Sequence, residues 1–303
     1  MIHIALLDEA HEPAALALFQ TLGYDSTMNA RTFAHLTRGD PTSSPELRLM
    51  ATADGDLIGF AIGCVRNQTL VIKYVAVHPN HQRRGIATAL VNTLEAQARQ
   101  LGLERALAGG VGPNFFYPGV DVRLAPALSL FWRLGYETDR VARVDMRVEL
   151  AQAPLDVRRA VGALAEQGIA VRRIATDDLA AVADFGGLQS EAWRTEVLEA
   201  GANEPITGFA AFADGQPVSF AVYGVTGPHR FGPTLTHPDY RQRGIGGTLL
   251  KLCLAALRDD GWPEAEISWA GPVHYYIRAV GATIHKAYWV FTKALIEPSA
   301  VAE

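Results

Sequence analysis

Two short segments of this chain combine arginine, glycine and a helix start in a pattern that can hold a diphosphate. The first runs Val75-Ala76-Val77-His78-Pro79-Asn80-His81-Gln82-Arg83-Arg84-Gly85-Ile86-Ala87. The second runs Thr234-Leu235-Thr236-His237-Pro238-Asp239-Tyr240-Arg241-Gln242-Arg243-Gly244-Ile245-Gly246-Gly247. In each, a strand-like run meets a His-Pro turn, then a basic loop, then a glycine, then the apolar periodicity of a helix. The first turn of a helix carries N–H groups without intrahelical acceptors, and the dipole places about half a positive charge there. Glycine lets a ligand approach that backbone closely. Arg83, Arg84, Arg241 and Arg243 add charge. The chemistry predicted is capture of a pyrophosphate, largely by main-chain amides.

These segments lie inside a longer internal repeat, which sets the elements that must position them. His78-Pro79 recurs as His237-Pro238, Arg84-Gly85-Ile86 as Arg243-Gly244-Ile245, Gly112-Pro113 as Gly271-Pro272 and Tyr117 as Tyr276, all at an offset of 159. Ala53-Asp54-Gly55 recurs as Ala213-Asp214-Gly215 at 160, and Gly135 as Gly281 at 146, so the first copy carries about thirteen extra residues after Tyr117. Each copy reads as mixed α/β. In the first, a strand over 2–6 leads to a helix over 13–22. Strands over 47–53 and 57–65 flank the Asp54-Gly55-Asp56 hairpin signal. A strand over 70–77 precedes a helix with Ile86, Leu90, Leu94 and Ala98 on one face. A fifth strand starts at Leu107, and a helix over 127–134 ends at Gly135. The second copy repeats the order: strand 169–174, a helix capped by Asp177-Asp178, strands 207–213, 218–225 and 231–236, a helix with Ile245, Leu249 and Cys253, and a strand over 265–269. A helix over 154–167, stopped by Gly168, reads as a linker. The expected organisation is a domain over 1–150, a linker over 151–168 and a second domain over 169–303.

Composition narrows the function. The chain has 303 residues, of which 49% are apolar and 19% charged, enough for two buried cores. The net charge of −5 and the absence of clustered Lys/Arg argue against nucleic acid as a partner. Cys64 and Cys253 sit in apolar runs and read as buried, reduced thiols. No His/Cys spacing points to a metal, and no apolar run has the roughly 20 residues of a membrane span. A soluble, cytoplasmic protein is expected. Gly110-Val111-Gly112 begins a dinucleotide fingerprint, but Pro113 follows and Phe115 stands where a third glycine is required.

Gln82-Arg83-Arg84-Gly85-Ile86-Ala87 and Arg241-Gln242-Arg243-Gly244-Ile245-Gly246 both resemble the acyl-CoA signature of the GNAT superfamily of N-acetyltransferases, Gln/Arg-x-x-Gly-x-Gly/Ala. Two copies, each after a hairpin and a strand ending in His-Pro, make the chain resemble a tandem member. The resemblance covers nearly all of it. It implies two folds, each a mixed, mostly antiparallel sheet flanked by helices and splayed between its fourth and fifth strands. It also implies acetyl-CoA as the cofactor, with its pantetheine arm paired to the backbone of Val75, Ala76 and Val77 and of Leu235 and Thr236.

The same resemblance implies direct attack of an amine on the acetyl thioester. A base or water chain takes the amine proton, a backbone N–H stabilises the oxyanion, and an acid, commonly a tyrosine ahead of a glycine, protonates the thiolate. Tyr276 fits that placement before Gly281, with Tyr275 beside it as the fallback. In the first copy the stretch before Gly135 holds Phe131 and Trp132, neither of which can protonate sulfur, whereas the repeat offset leads to Tyr117. Glu266, His274 and Asp121 are open candidates for the base. Glu191 and Trp193 lie where the family often builds its acceptor pocket, but a helix face accounts for them better here. The acceptor is expected to be a small-molecule primary amine. The Phe-Tyr-Pro-Gly-Val stretch resembles tandem members acting on amino sugars, with aminoglycosides, polyamines, amino acids and protein amino groups also open. A monomer or homodimer is expected. The alternative is a CoA-binding sensor or scaffold with one or both domains silent.

Overall fold

The computed structural model of the protein describes residues 2–25 and 27–296. In chain order its elements are β1 (Ile2–Leu6), α1 (Glu12–Thr21), α2 (Ala30–Leu36), β2 (Arg48–Ala53), β3 (Asp56–Arg66), β4 (Thr69–Val77), α3 (Ile86–Gln100), β5 (Arg105–Ala108), β6 (Val120–Asp121), α4 (Ala125–Arg133) and β7 (Glu137–Thr138). There follow β8 (Arg143–Glu149), α5 (Arg158–Ala165), β9 (Ile169–Arg173), α6 (Leu179–Gly187), α7 (Glu191–Ala200), β10 (Gly208–Ala213), β11 (Gln216–Tyr223) and β12 (Arg230–Thr236). The chain continues through α8 (Ile245–Asp259), β13 (Glu264–Ile267), α9 (Val273–Val280), β14 (Thr283–Trp289) and β15 (Phe291–Ala294).

By its contacts the chain divides into two units, Met1–Arg143 with Ala287–Glu303, and Val144–Lys286. Seven of the described strands of unit 1 form a mixed sheet in the order β1-β2-β3-β4-β5-β15-β7, while β6 pairs apart from it with Tyr288 and Trp289 of β14. Only β4 and β5 run parallel, over Thr69–Ile72 and Arg105–Ala108. In unit 2 the order is β14-β8-β13-β12-β11-β10-β9, taking residues 283–286 of β14, with β12 and β13 parallel. The two hairpins turn as the sequence predicts. Asp54 and Gly55 take φ of 54° and 94°, and Asp214 and Gly215 take 49° and 77°.

The expected division at residue 150 and the assignment of 169–303 to one domain need correcting. The last strand, β15, pairs antiparallel with β5 from Phe291↔Ala108 to Ala294↔Arg105, and so completes unit 1. Conversely, β8 pairs with β13 from Met146↔Ile267 to Glu149↔Glu264, and completes unit 2. A sheet edge accepts any strand whose alternation buries the right face, so chain order does not decide which strand closes which sheet.

Each sheet is covered on both faces. In unit 1, α3 buries Ile86, Leu90, Leu94 and Ala98 against one face, and Phe19, Phe33 and Phe60 join the cluster on the other. In unit 2, α8 buries Ile245, Leu249, Cys253 and Leu257 on one face, and Val182, Val197 and Phe220 pack on the other. Both cysteines are buried and free.

Candidate active site

The parallel pairing of β4 with β5 ends early. Gly109 N–H still bonds to Ile72 O, but among the described residues β4 continues to Val77 without a partner on that side, so a gap opens between the strands. His78 N–H bonds to Ile58 O at 2.8 Å. Antiparallel bonding alternates along a strand, so Val77 and Val75 turn their polar groups toward the gap. The carbonyl of Val77 is taken by Gln82 Nε2 at 3.1 Å, which ties the basic loop to the strand end.

The loop then rises through Arg83 at φ 62° to Gly85, the left-handed N-cap of α3 at φ 79°, ψ 0°. The first intrahelical bond is Ala89 N–H to Gly85 O, and among the described residues the amides from Arg83 to Thr88 have no backbone acceptor. A cleft of about 570 Å³ adjoins them. Val75, Ala76, Val77, Gln82, Arg83, Gly85, Ile86 and Ala87 all line it; Arg84 is exposed and does not.

Unit 2 reproduces this backbone almost degree for degree. Gly244 caps α8 at φ 79°, ψ 1°, Gln242 stands at 64° where Arg83 has 62°, and Arg241 Nε donates to Thr236 O at 3.2 Å. The first helical bond is Thr248 N–H to Gly244 O, and the amides of Gln242, Arg243, Gly244, Ile245 and Gly246 again have no backbone acceptor among the described residues. Arg243 lies over the Tyr240 ring, 5.0 Å from its centre. Leu235 packs instead with the α6/α7 side of the sheet. The backbone register is therefore local, set by the spacing from His-Pro to Gly.

The far wall of the unit 1 cleft includes Tyr24, Tyr117 and Asp121. Tyr24 Oη donates to Asp121 Oδ2 at 2.5 Å, and Arg123 grips the same carboxylate with its backbone N–H at 2.8 Å and Nη2 at 2.7 Å. Burial acts to raise the Asp121 pKa, but the Arg123 and Tyr24 hydrogen bonds outweigh it and the group is held below its ordinary value. The same pair raises Tyr24: burial first, then Asp121. Asp121 is thus a fixed anion, poorly suited to taking a proton. The Tyr117 ring meets Tyr24 edge-on at 4.7 Å and stacks with Tyr288 at 6.2 Å.

A buried ionic node sits beneath this wall. Asp40 Oδ2 accepts from Lys73 Nζ at 2.6 Å and Arg66 Nη2 at 2.7 Å, while Arg66 also donates to Pro113 O at 3.0 Å. It joins the point where β4 leaves β5 to the loop carrying Tyr117. Sequence spacing carried no signal for this node or for Tyr24, which lies 97 residues from Asp121.

The other candidates separate clearly. Tyr276 is buried in the core of unit 2, its ring edge-on to Phe231, and burial pushes its pKa up to about 12. Tyr275 is only partly buried and reaches the start of α8. Glu266 is buried between Arg230 at 2.8 Å and Lys286 at 2.8 Å; burial alone would raise it, yet the two cations bring it down to about 2. It is an ion-pair residue, and a base role does not fit. His274 is exposed on the outer side of α9. Trp193 packs edge-on to Phe220, and Glu191 is the exposed first residue of α7. Phe131 lines the unit 1 cleft as an apolar wall. Among the described residues no cluster of three His, Cys, Asp or Glu could hold a metal, and no helix is long and apolar enough to cross a membrane.

A mixed sheet whose parallel pairing ends early beside an open helix start occurs twice in the chain. Residues 14–115 and 171–274 each match the acetyltransferase (GNAT) family, and the chain belongs to it as a tandem of two GNAT folds. Among solved structures it is similar to a GCN5-related N-acetyltransferase from Sphaerobacter thermophilus, with TM-score 0.71 and 19% identity, covering 97% of this chain and 96% of that one. It is also similar to a tandem GNAT protein from the clavulanic acid biosynthesis pathway, with TM-score 0.72 and 14% identity over 99% and 100% of the two chains. A third likeness is to the glucosamine N-acetyltransferase region of a fungal multi-domain GH3 β-N-acetylglucosaminidase, with TM-score 0.75 and 15% identity over 97% of this chain. This chain spans 38% of that protein. At these identities the likenesses speak for the fold. No curated protein matches the sequence.

Proposed function

We propose that the protein is an acetyl-CoA-dependent N-acetyltransferase acting on a primary amine of a small molecule, with unit 1 as the reacting site. The observation that carries this reading is the continuity of the unit 1 cleft, from the open amides of the Gly85 turn, along the free edge of β4, to Tyr24, Tyr117 and Asp121. Acetyl-CoA would supply the activated acetyl group as a thioester. The residues present fit it. Unpaired amides at a helix start suit its diphosphate, and the Val75–Val77 edge suits its amide-bearing arm.

The chain's own groups then have distinct tasks. Arg83 to Ala87 hold the diphosphate, as the amides of Arg241 to Gly246 are shaped to do in unit 2. Tyr117, on the cleft wall, donates a proton to the leaving thiolate, as a phenol within hydrogen-bond reach can. Asp121, kept ionised by Arg123, favours a cationic amine and orients Tyr24, whose oxygen can accept from it. An amino sugar is the acceptor class we favour, because the chain has the fold of the glucosamine N-acetyltransferase region over 97% of its length. The protein is proposed to work in the cytoplasm as a monomer or homodimer. The decisive assay presents a panel of amines with acetyl-CoA and detects released thiol with a reactive dye. Acceptor-dependent release supports an enzyme; binding of acetyl-CoA without release for any amine supports the sensor or scaffold.

A further inference from the structure

The two units share one loop but differ in what stands opposite it. In unit 1 the third residue of α4 is Ala127, and it lines the cleft together with Ala87 and Thr88 of α3. In unit 2 the third residue of α9 is Tyr275, and the positions matching Ala87 and Thr88 are Gly246 and Gly247. Small faces larger in unit 1; large faces glycine in unit 2. The exchange follows position from the helix start and is met in space; counted back from Gly281 and Gly135, Tyr275 matches Ser129 instead. A Cβ placed on Gly247 would stand 3.5 Å from Tyr275 Oη, and one on Gly246 would stand 3.8 Å from it and 3.4 Å from Thr236 Oγ1. The Tyr275 hydroxyl therefore lies against the first turn of α8, close to the end of β12. In unit 1 the equivalent residues, Val77, Ala87 and Thr88, wall open space.

Close packing explains the pairing. A cleft filled by a ring from one side must lose side-chain volume on the other, and even one methylene is felt in such contacts. A threonine at 247, as at Thr88, would carry its branch beyond a Cβ already in van der Waals contact with the hydroxyl. The glycines at 246 and 247 are neither of positive φ nor needed for the turn, which Gly244 already makes. Both positions lie within ordinary contact distance of the Tyr275 hydroxyl, so a branched side chain there would meet it.

We propose that Tyr275 fills, in unit 2, the passage that unit 1 leaves open, so that the chain binds one equivalent of acetyl-CoA, in unit 1. This rests on the acetyltransferase reading and specifies which of its two loops is used. Unit 2 keeps a diphosphate-shaped helix start whose approach for the rest of the molecule is occupied by its own side chain.

Isothermal titration of the full chain with acetyl-CoA tests this. One equivalent is expected for the wild type and for Tyr275→Phe, which keeps the ring, and two for Tyr275→Ala, which removes it. Gly85→Asp, which sets an anion in the unit 1 loop, should abolish binding in the otherwise wild-type chain. Two equivalents in the wild type overturn the inference, as does one equivalent surviving in Gly85→Asp. If Tyr275→Ala proves unfolded by circular dichroism, the wild-type and Gly85→Asp titrations still decide. No binding by any folded variant would instead overturn the proposed function itself, and this inference with it.

Discussion

Gln82 donates from Nε2 to the carbonyl of Val77, five residues back, at 3.1 Å, and so fastens the phosphate-shaped loop to the strand end from which it departs. Arg241 does the same to Thr236 at 3.2 Å. The first residue of each motif is thus a strut within the protein, and only secondarily a charge for a ligand. Gln82→Ala should remove about 1 kcal/mol of loop ordering. The expected result is an acetyl-CoA Kd raised about fivefold with the thermal midpoint nearly unchanged; an unchanged Kd would show the strut to be idle.

Gly85 separates backbone strain from ligand contact. Its φ is 79°, and a Cβ there would meet nothing within 4 Å. Gly85→Ala should therefore cost only the left-handed penalty, about 1–2 kcal/mol of stability. Gly85→Asp should cost a similar amount of stability but abolish detectable acetyl-CoA binding, because its carboxylate occupies and repels the diphosphate at the helix start. Parallel denaturation and titration separate the two effects.

Tyr117→Phe should lower kcat about 100-fold, the lower end of what general acids contribute, while leaving the Kd for acetyl-CoA nearly unchanged. Steady-state kinetics with a saturating amine reads the first and titration the second. Full turnover in Tyr117→Phe would remove Tyr117 from the reaction.

Tyr24 and Asp121 predict a charge preference. Asp121→Asn loses the anion gripped by Arg123 and held at 2.5 Å by Tyr24. Its KM for a cationic amine should rise about tenfold, on the scale of one charged hydrogen bond, with little change for an uncharged acceptor such as hydroxylamine. Equal changes for both would reject the assignment.

Glu266 sets an acid limit for unit 2. Its pKa falls from 4.5 to about 2 in the folded chain, beside Arg230 and Lys286. A depressed carboxylate stabilises the fold above its unfolded pKa and loses that contribution as pH drops through the folded one. Stability should therefore decline between about pH 5 and pH 2, by about 3 kcal/mol from this group. Glu266→Gln should flatten that part of the pH profile and cost about 3–5 kcal/mol at neutral pH, since two buried cations lose their partner. Urea melts across the range measure both.

Features set within a few residues could be read from the chain directly. The two capped helices, their buried faces at Ile86, Leu90 and Leu94 and at Ile245, Leu249 and Cys253, and the Asp-Gly hairpins needed no distant partner. Asp121 was a candidate only by position, because its grip on Tyr24 closes a span of 97 residues. Tyr276 drew attention by its distance from Gly281, yet a helix turns neighbouring side chains to different faces, and Tyr275 is the one that reaches α8.

Spacing along the chain thus determined the duplicated architecture and both helix starts, since turn geometry, capping and amphipathic period act over one or two turns. Tertiary structure alone decided that β15 closes unit 1 and β8 closes unit 2, that Asp40 gathers Lys73 and Arg66, and that a ring stands opposite Gly246 and Gly247. Strand partners, buried charges and facing volumes are chosen by shape and burial in three dimensions, and a residue's type does not name the neighbour it will meet.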